Sequence, residues 1–136
     1  MSEDTAKQYT CGCCKLVKSE YDFPKAQLRR KTPRCKSCCR DYQLLYKFGL
    51  TRREYDDMLA HQKGKCAICG SIDPGSKNKG QFSVDHDHVT GDIRGLLCTQ
   101  CNTGLGSFQD NPEFLRMAIS YLETVDHEVH RRSSEF

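Results

Sequence analysis

The chain has no tryptophan, only four prolines and no apolar run long enough to span a bilayer. No membrane association is therefore expected. No N-terminal apolar stretch resembles a signal peptide, so the expected compartment is the reducing cytosol. Hydrophobic residues make up only 37% of its 136 residues. A single large core is not expected from so little apolar material, and bound metal is expected to supply much of the stability. Acid is missing from one long stretch. Residues 25–40 hold Lys25, Arg29, Arg30, Lys31, Arg34, Lys36 and Arg40 without an Asp or Glu among them.

The net charge of +3 hides an asymmetry. Residues 1–65 carry 15 Lys and Arg against 8 Asp and Glu, or +7; residues 66–136 carry 6 against 10, or −4. The basic half is a candidate phosphate-binding surface, with Arg29, Arg30, Lys31, Arg34, Lys36 and Arg40 as DNA-binding candidates. Such cations position a nucleic acid and carry no sequence readout. The plainer alternative is that they only solvate a small domain.

Cysteine is what the chain has in excess. Eight of the ten cysteines fall in C-x2-C pairs. Cys66/Cys69 and Cys98/Cys101 supply four thiolates for one closed, structural Zn²⁺; Cys11/Cys14 and Cys35/Cys38 supply four more for a second. Cys13 and Cys39 are left over, and either could replace its neighbour as ligand. Disulfides are the less economical alternative in a reducing compartment.

The expected organisation is a small α+β metal-stapled protein. Residues 1–10 are expected to be disordered. Residues 11–41 are expected to form a zinc knuckle, with Tyr21 and Phe23 filling its core or, in the sharper reading, an exposed aromatic stacking on a base. Residues 42–65 are a helical connector. Its first helix begins near Tyr42, with Asp41 as cap and Tyr42, Leu45, Tyr46 and Phe48 as its apolar face; Gly49 breaks it. Thr51 and Glu54 form a capping box for the second, which buries Tyr55, Met58 and Leu59. Arg52 and Arg53 oppose that helix's dipole, a hint of phosphate contact. Residues 66–110 are the core, a hairpin and helix pinned by zinc. Ser71–Gln81, with Lys77 and Lys79, is a flexible loop; Phe82–His86 and Ile93–Leu97 are strands around a turn at Val89–Asp92; a short helix ends near Gly104 and Gly106. Residues 111–136 begin with Asn111 as N-cap and Pro112 at the first helical position. Phe114, Leu115, Ala118, Ile119, Leu122 and Val125 recur at helical spacing and are expected to cover the zinc core or, alternatively, to build a dimer interface. His127 and His130, in the polar tail, are a weak metal signal.

Between the cysteine pairs runs Asp85-His86-Asp87-His88, with Asn102 beyond the second pair. Asp carboxylate and Asn carbonyl oxygens are hard ligands that suit Mg²⁺, and a histidine beside them can take a proton from water. The alternative, a further zinc on the Asp-His run, is weakened because four cysteines already satisfy one zinc and Asn is a poor zinc ligand.

Taken together, LTRREYDDML at 50–59, CAIC at 66–69, VDHDH at 84–88, GDIRGLLC at 91–98 and CN at 101–102 resemble the phage recombination endonuclease VII family, within the HNH or ββα-metal (His-Me finger) nucleases. The resemblance covers Leu50–Leu122. It implies a ββα-metal, treble-clef-like nuclease core and a DNA endonuclease using Mg²⁺ or Mn²⁺. Branched DNA such as a Holliday junction would be the substrate. By the same resemblance Asp85 would bind the catalytic metal, His86 would be the general base, Asn102 would complete the metal site and His88 would lie near the scissile phosphate. Arg94 could contact phosphate. A phage origin, action in the host cytoplasm and a homodimer are further expectations. The alternatives are an HNH nicking enzyme on duplex DNA and a non-catalytic double-zinc DNA-binding protein. One departure stands out: family members can carry an acid a turn after the Asn, where this chain has Leu105, and Asp87 is the candidate substitute.

Overall fold

Sulfur organises the N-terminal turn. In the computed structural model, which describes residues 6–75 and 80–124, strands β1 (Gln8–Thr10) and β2 (Val17–Ser19) pair antiparallel, with Tyr9 opposite Lys18. Cys11 leaves β1, and its N–H bonds to Leu16 O at 2.9 Å, which closes the turn. Of the ten residues expected to be disordered, Gln8–Thr10 are therefore a strand, because they pair with residues beyond the first cysteine pair. A second two-stranded sheet joins β3 (Ser83–His86) to β4 (Ile93–Leu97). The described residues fall into two compact units, those of Met1–Gly64 with His86–Gly95, and those of Lys65–Asp85 with the chain from Leu96 onward.

The first unit has a small core of Cys11, Phe23, Cys35 and Cys38, with Tyr9 and Leu28 packed against it. Tyr9 meets Phe23 edge to face at 5.9 Å. Tyr21 is exposed, so Phe23 alone fills the role expected of the pair.

Helix α1 (Lys36–Phe48) starts earlier than the sequence suggests. Its N-cap is Cys35, so the second cysteine pair lies at its entrance and Asp41 lies inside it. Sulfur clustering fixes this helix start where side-chain capping signals would not. The side it buries follows Cys38 and Leu44, with Asp41 and Phe48 half-buried, at steps of three, three and four residues. Tyr42, Leu45 and Tyr46 lie outside that stripe and are exposed, contrary to the expected apolar face.

Gly49, at φ +67°, takes the left-handed conformation that ends α1. Helix α2 (Arg52–His61) has the expected capping box, with Thr51 accepting from the Glu54 amide and Glu54 from the Thr51 amide. Tyr55 is buried, and Met58 and Leu59 are half-buried. Arg52 donates to Asp41 at 2.9 Å and lies 5.0 Å over the Tyr55 ring. This ties α2 to α1 and gives Arg52 a structural role. The Glu54 carboxylate accepts from the Thr51 amide and hydroxyl, both at 2.7 Å. The amide bond first, then the hydroxyl, hold its pKa below the ordinary glutamate value. A lowered folded pKa means that the carboxylate's contribution is complete above the unfolded value, about 4.3, and drains away as pH falls through the lower folded value. Carboxyl NMR of the native protein is therefore expected to place the Glu54 midpoint below the ordinary glutamate value, about 4.3; a midpoint at or above it would remove the capping box.

In the second unit Phe82, Leu96 and Leu97 are buried with Cys66 and Cys98. Residues 73–75 fold back on the start of helix α3 (Thr99–Ser107), where the Thr99 amide and hydroxyl donate to Pro74 O at 2.9 and 3.0 Å. Gly75 is required there: its φ is +91°, and an added Cβ would stand 2.9 Å from Thr99. Lys77 and Lys79 lie outside the described residues. Gly104 and Gly106 fall inside α3, which runs on to Ser107. Helix α4 (Pro112–Thr124) begins as expected, with Asn111 Oδ1 accepting from the Glu113 amide at 2.9 Å. It buries no residue, and Phe114, Met117, Ile119, Tyr121 and Leu122 are exposed. Among the described residues of the expected stripe, Leu115 and Ala118 are half-buried. Val125, His127 and His130 lie outside the described residues, and no described helix is long and apolar enough to cross a membrane.

Candidate functional site

Two groups of four sulfurs assemble, each drawn from two C-x2-C pairs. Cys11, Cys14, Cys35 and Cys38 have sulfurs within 4.8 Å of one another, as do Cys66, Cys69, Cys98 and Cys101. Cys13 and Cys39 belong to neither group. The Cys14–Cys35 and Cys69–Cys98 sulfurs are 4.0 and 3.7 Å apart. A disulfide needs about 2.05 Å. Four sulfurs around zinc at bonds of about 2.3 Å stand roughly 3.8 Å apart. Both groups therefore suit a tetrahedral zinc ion.

The local backbone prepares these thiols for metal. Burial pushes the Cys11 thiol up, but the amides of Cys35, Cys14 and Cys13 outweigh it and bring its pKa down to about 6. At Cys66 burial is likewise outweighed, here by the amides of Cys98, Cys69 and Ile68, again to about 6. Cys35 is lowered as well, its burial outweighed by the Ser37 hydroxyl and the Cys38 amide. The neighbouring thiols then resist: burial first, then the adjacent sulfurs, raise Cys38, and push Cys101 up to about 12. Four thiolates at this separation require a cation among them. Lys18 adds a positive charge, its Nζ 3.6 Å from Cys35 Sγ.

The Asp-His run lies on the β3–β4 hairpin. Asp85, on β3, is buried at 9% exposure. Asn102 is half-buried on α3, in the same compact unit. A buried carboxylate and an amide oxygen are the donor types that Mg²⁺ or Mn²⁺ takes. His86 and His88 belong to the other unit, with ring centroids 4.7 Å apart. Phe48 of α1 meets the His86 ring edge to face at 5.4 Å. No local signal near His86 points to Phe48, because the contact joins distant parts of the chain.

Asp87 has a different occupation. Its Oδ1 accepts from the amides of Val89 at 2.8 Å and Thr90 at 2.9 Å, and its own amide donates to Asp92 O at 2.8 Å. The Thr90 amide first, then that of Val89, hold its pKa below the ordinary aspartate value. Asp87 thus pins the hairpin turn, a role its Asp-x-x-Thr-Gly context could have signalled as an Asx turn.

Arg29, Arg30, Lys31, Arg34, Lys36 and Arg40 are all exposed. Arg94 is exposed too, but it lines a cleft of about 440 Å³ with Glu54, Asp57 and His61. Two residues lining that cleft, Glu54 and Asp57, are acidic.

Comparison with known proteins gives the following. A sequence model described as recombination endonuclease VII matches residues 40–124, more than half of the chain. The Gene 59 protein of Mycobacterium phage L5 is 39% identical over 102 residues, covering 66% of this chain and 60% of that protein. The Gene 59 protein of Mycobacterium phage D29 is 40% identical with the same coverage. The chain thus spans 60% of the length of both relatives. A solved structure, the beta-beta-alpha-Me type II restriction endonuclease Hpy99I, matches at 32% identity and a TM-score of 0.38, over 85% of this chain and 65% of that one.

Proposed function

Because the chain belongs to the recombination endonuclease VII family, we propose that it is a Mg²⁺-dependent DNA endonuclease that cuts branched DNA of the Holliday-junction type. The observation that carries the reading is the family match over 40–124, which contains Asp85, His86, His88 and Asn102. Two zinc-suited sulfur groups and an exposed run of cations support it from the chain's own chemistry. The expected setting is the cytoplasm of a phage host. Homodimerisation belongs to the same proposal, since symmetric cutting of a two-fold substrate requires two active sites.

In this reading Asp85 and Asn102 supply oxygen ligands to Mg²⁺ or Mn²⁺. When bound, that ion supplies charge stabilisation at the phosphorus and the leaving 3′ oxygen. An imidazole nitrogen of His86 takes the proton from the attacking water. Packing against Phe48 limits the ring's rotation, so its orientation is set before substrate arrives. His88 donates to the phosphate or carries the proton onward. Arg29, Arg30, Lys31, Arg34, Lys36 and Arg40 hold the phosphate backbone, and Arg94 contributes one phosphate contact.

The test is cleavage of a labelled four-way junction beside a duplex of the same sequence, with Mg²⁺ added or omitted. Metal-dependent cutting of the junction alone is the expected result. Equal cutting of both would move the activity to a general HNH nickase. Binding without cutting, at full zinc content, would make the chain a non-catalytic DNA-binding protein.

A further inference from the structure

Helix α1 carries two aromatic rings that its core does not use. Tyr42 and Tyr46, one turn apart, are 52% and 79% exposed. Their rings are nearly parallel, 12° apart in plane with centroids at 6.0 Å. The Arg34 guanidinium lies over the Tyr42 ring at 4.8 Å. The three groups form a series of planar surfaces, guanidinium, ring and ring, on one side of a small module. The core-facing stripe of α1 is made by Cys38 and Leu44, so folding does not explain why large rings stand on the other side. Their surroundings are cationic. Arg29, Arg30, Lys31, Lys36 and Arg40 are exposed nearby in the sequence, and no acid occurs from residue 25 to 40.

Flat π surfaces among exposed cations match single-stranded DNA. Every base has a face that stacks on tyrosine, whatever its sequence, while the cations meet the phosphates. A paired base has both faces covered by its neighbours and offers nothing to such a platform. We propose that Tyr42 and Tyr46, backed by Arg34, form a stacking platform for an unpaired base of the DNA substrate. The proposal rests on the DNA-endonuclease reading and deepens it. It specifies DNA with unpaired bases, at a gap, flap or opened branch point, as the form the N-terminal module prefers. Leu45 is exposed beside the rings, so a protein contact is the competing occupant; the run of cations without an acid from residue 25 to 40 favours DNA.

The test uses the full chain with Mg²⁺ omitted and two DNA probes. One is an intact duplex; the other is the same duplex with a short single-stranded gap carrying 2-aminopurine. The chain has no tryptophan, so the probe can be excited with little background from the protein. The parent is expected to quench the 2-aminopurine and to bind the gapped probe on the order of tenfold more tightly than the duplex. Replacing both rings with leucine (Tyr42→Leu with Tyr46→Leu) keeps a good helix former at each exposed position. It is expected to abolish the quenching and the preference while leaving duplex affinity unchanged. The corresponding double phenylalanine variant, which keeps both π faces, is expected to behave like the parent.

Quenching and preference that persist in the leucine variant, or a parent with no preference for the gap, would overturn the platform and leave the nuclease reading intact. A leucine variant that changes oligomeric state but not DNA binding would also overturn it and mark the face as a protein contact. If the parent binds neither probe at full zinc content, the DNA reading itself fails and the platform with it.

Discussion

Alanine at position 86 is expected to lower DNA cleavage by about 10²- to 10⁴-fold, the usual contribution of a positioned general base. DNA affinity is expected to stay within a small factor of the parent. His86 ends β3 with its ring held between Phe48 at 5.4 Å and His88 at 4.7 Å. Alanine removes the base and also empties that packing. His86→Gln serves as the companion variant because it keeps bulk and polarity without a ring nitrogen to accept the proton. Both variants should hold the parent's zinc content and circular dichroism. Imidazole added to the solution should recover part of the alanine variant's rate, since the gap beside Phe48 admits a ring of that size. Either variant cutting a junction at a rate close to the parent's would remove His86 from the proposed mechanism and leave the base unidentified.

Loss of zinc is expected to have the largest effect on the fold. Each chain should carry two zinc ions by elemental analysis. Cys98→Ser should lower the content to one and unfold the unit that contains α3. Cys98 is 1% exposed, and its sulfur accepts from the Cys101 amide at 3.5 Å, so it is both a ligand and a helix cap. Structural zinc contributes roughly 10–16 kcal/mol in small peptides, comparable to the whole stability of an ordinary domain, about 5–15 kcal/mol. With a core of little more than Phe82, Leu96 and Leu97 in this unit, nothing else can replace it. Because Cys101 is pushed up to about 12, zinc must displace a proton there, and affinity should weaken as pH falls. The controls are Cys13→Ser and Cys39→Ser, which should both retain two zinc ions. A Cys13→Ser variant with one zinc ion would mean that Cys13 is a ligand after all.

Much of the candidate site could be read directly from the chain. The four C-x2-C pairs define both sulfur groups, because a tetrahedral site restricts ligand spacing more than any fold does. The strand at Ile93–Leu97, the capping box at Thr51 and Glu54 and the Asn111 cap are local signals, set by residues within a few positions of one another. The role of Asp87 was also within reach, since its turn partners Val89 and Thr90 are close in sequence.

Tertiary structure decided what depends on distant neighbours. Which cysteines of Cys13-Cys14 and Cys38-Cys39 join the metal group follows from where α1 begins, and that start is set by sulfurs from the N-terminal turn. The same placement moved Asp41 from a cap to the partner of Arg52, and turned α1 so that Leu44 is buried and Tyr42 and Tyr46 face water. Periodicity alone could not choose between these faces, because both carry large apolar side chains. The packing of Phe48 on His86 likewise needed the folded chain. Sequence by itself determined the ligand types, the motifs and the family. Only the fold decided which side of each helix is core, because the sulfur groups at the starts of α1 and α3, more than the apolar pattern, fix where those helices begin.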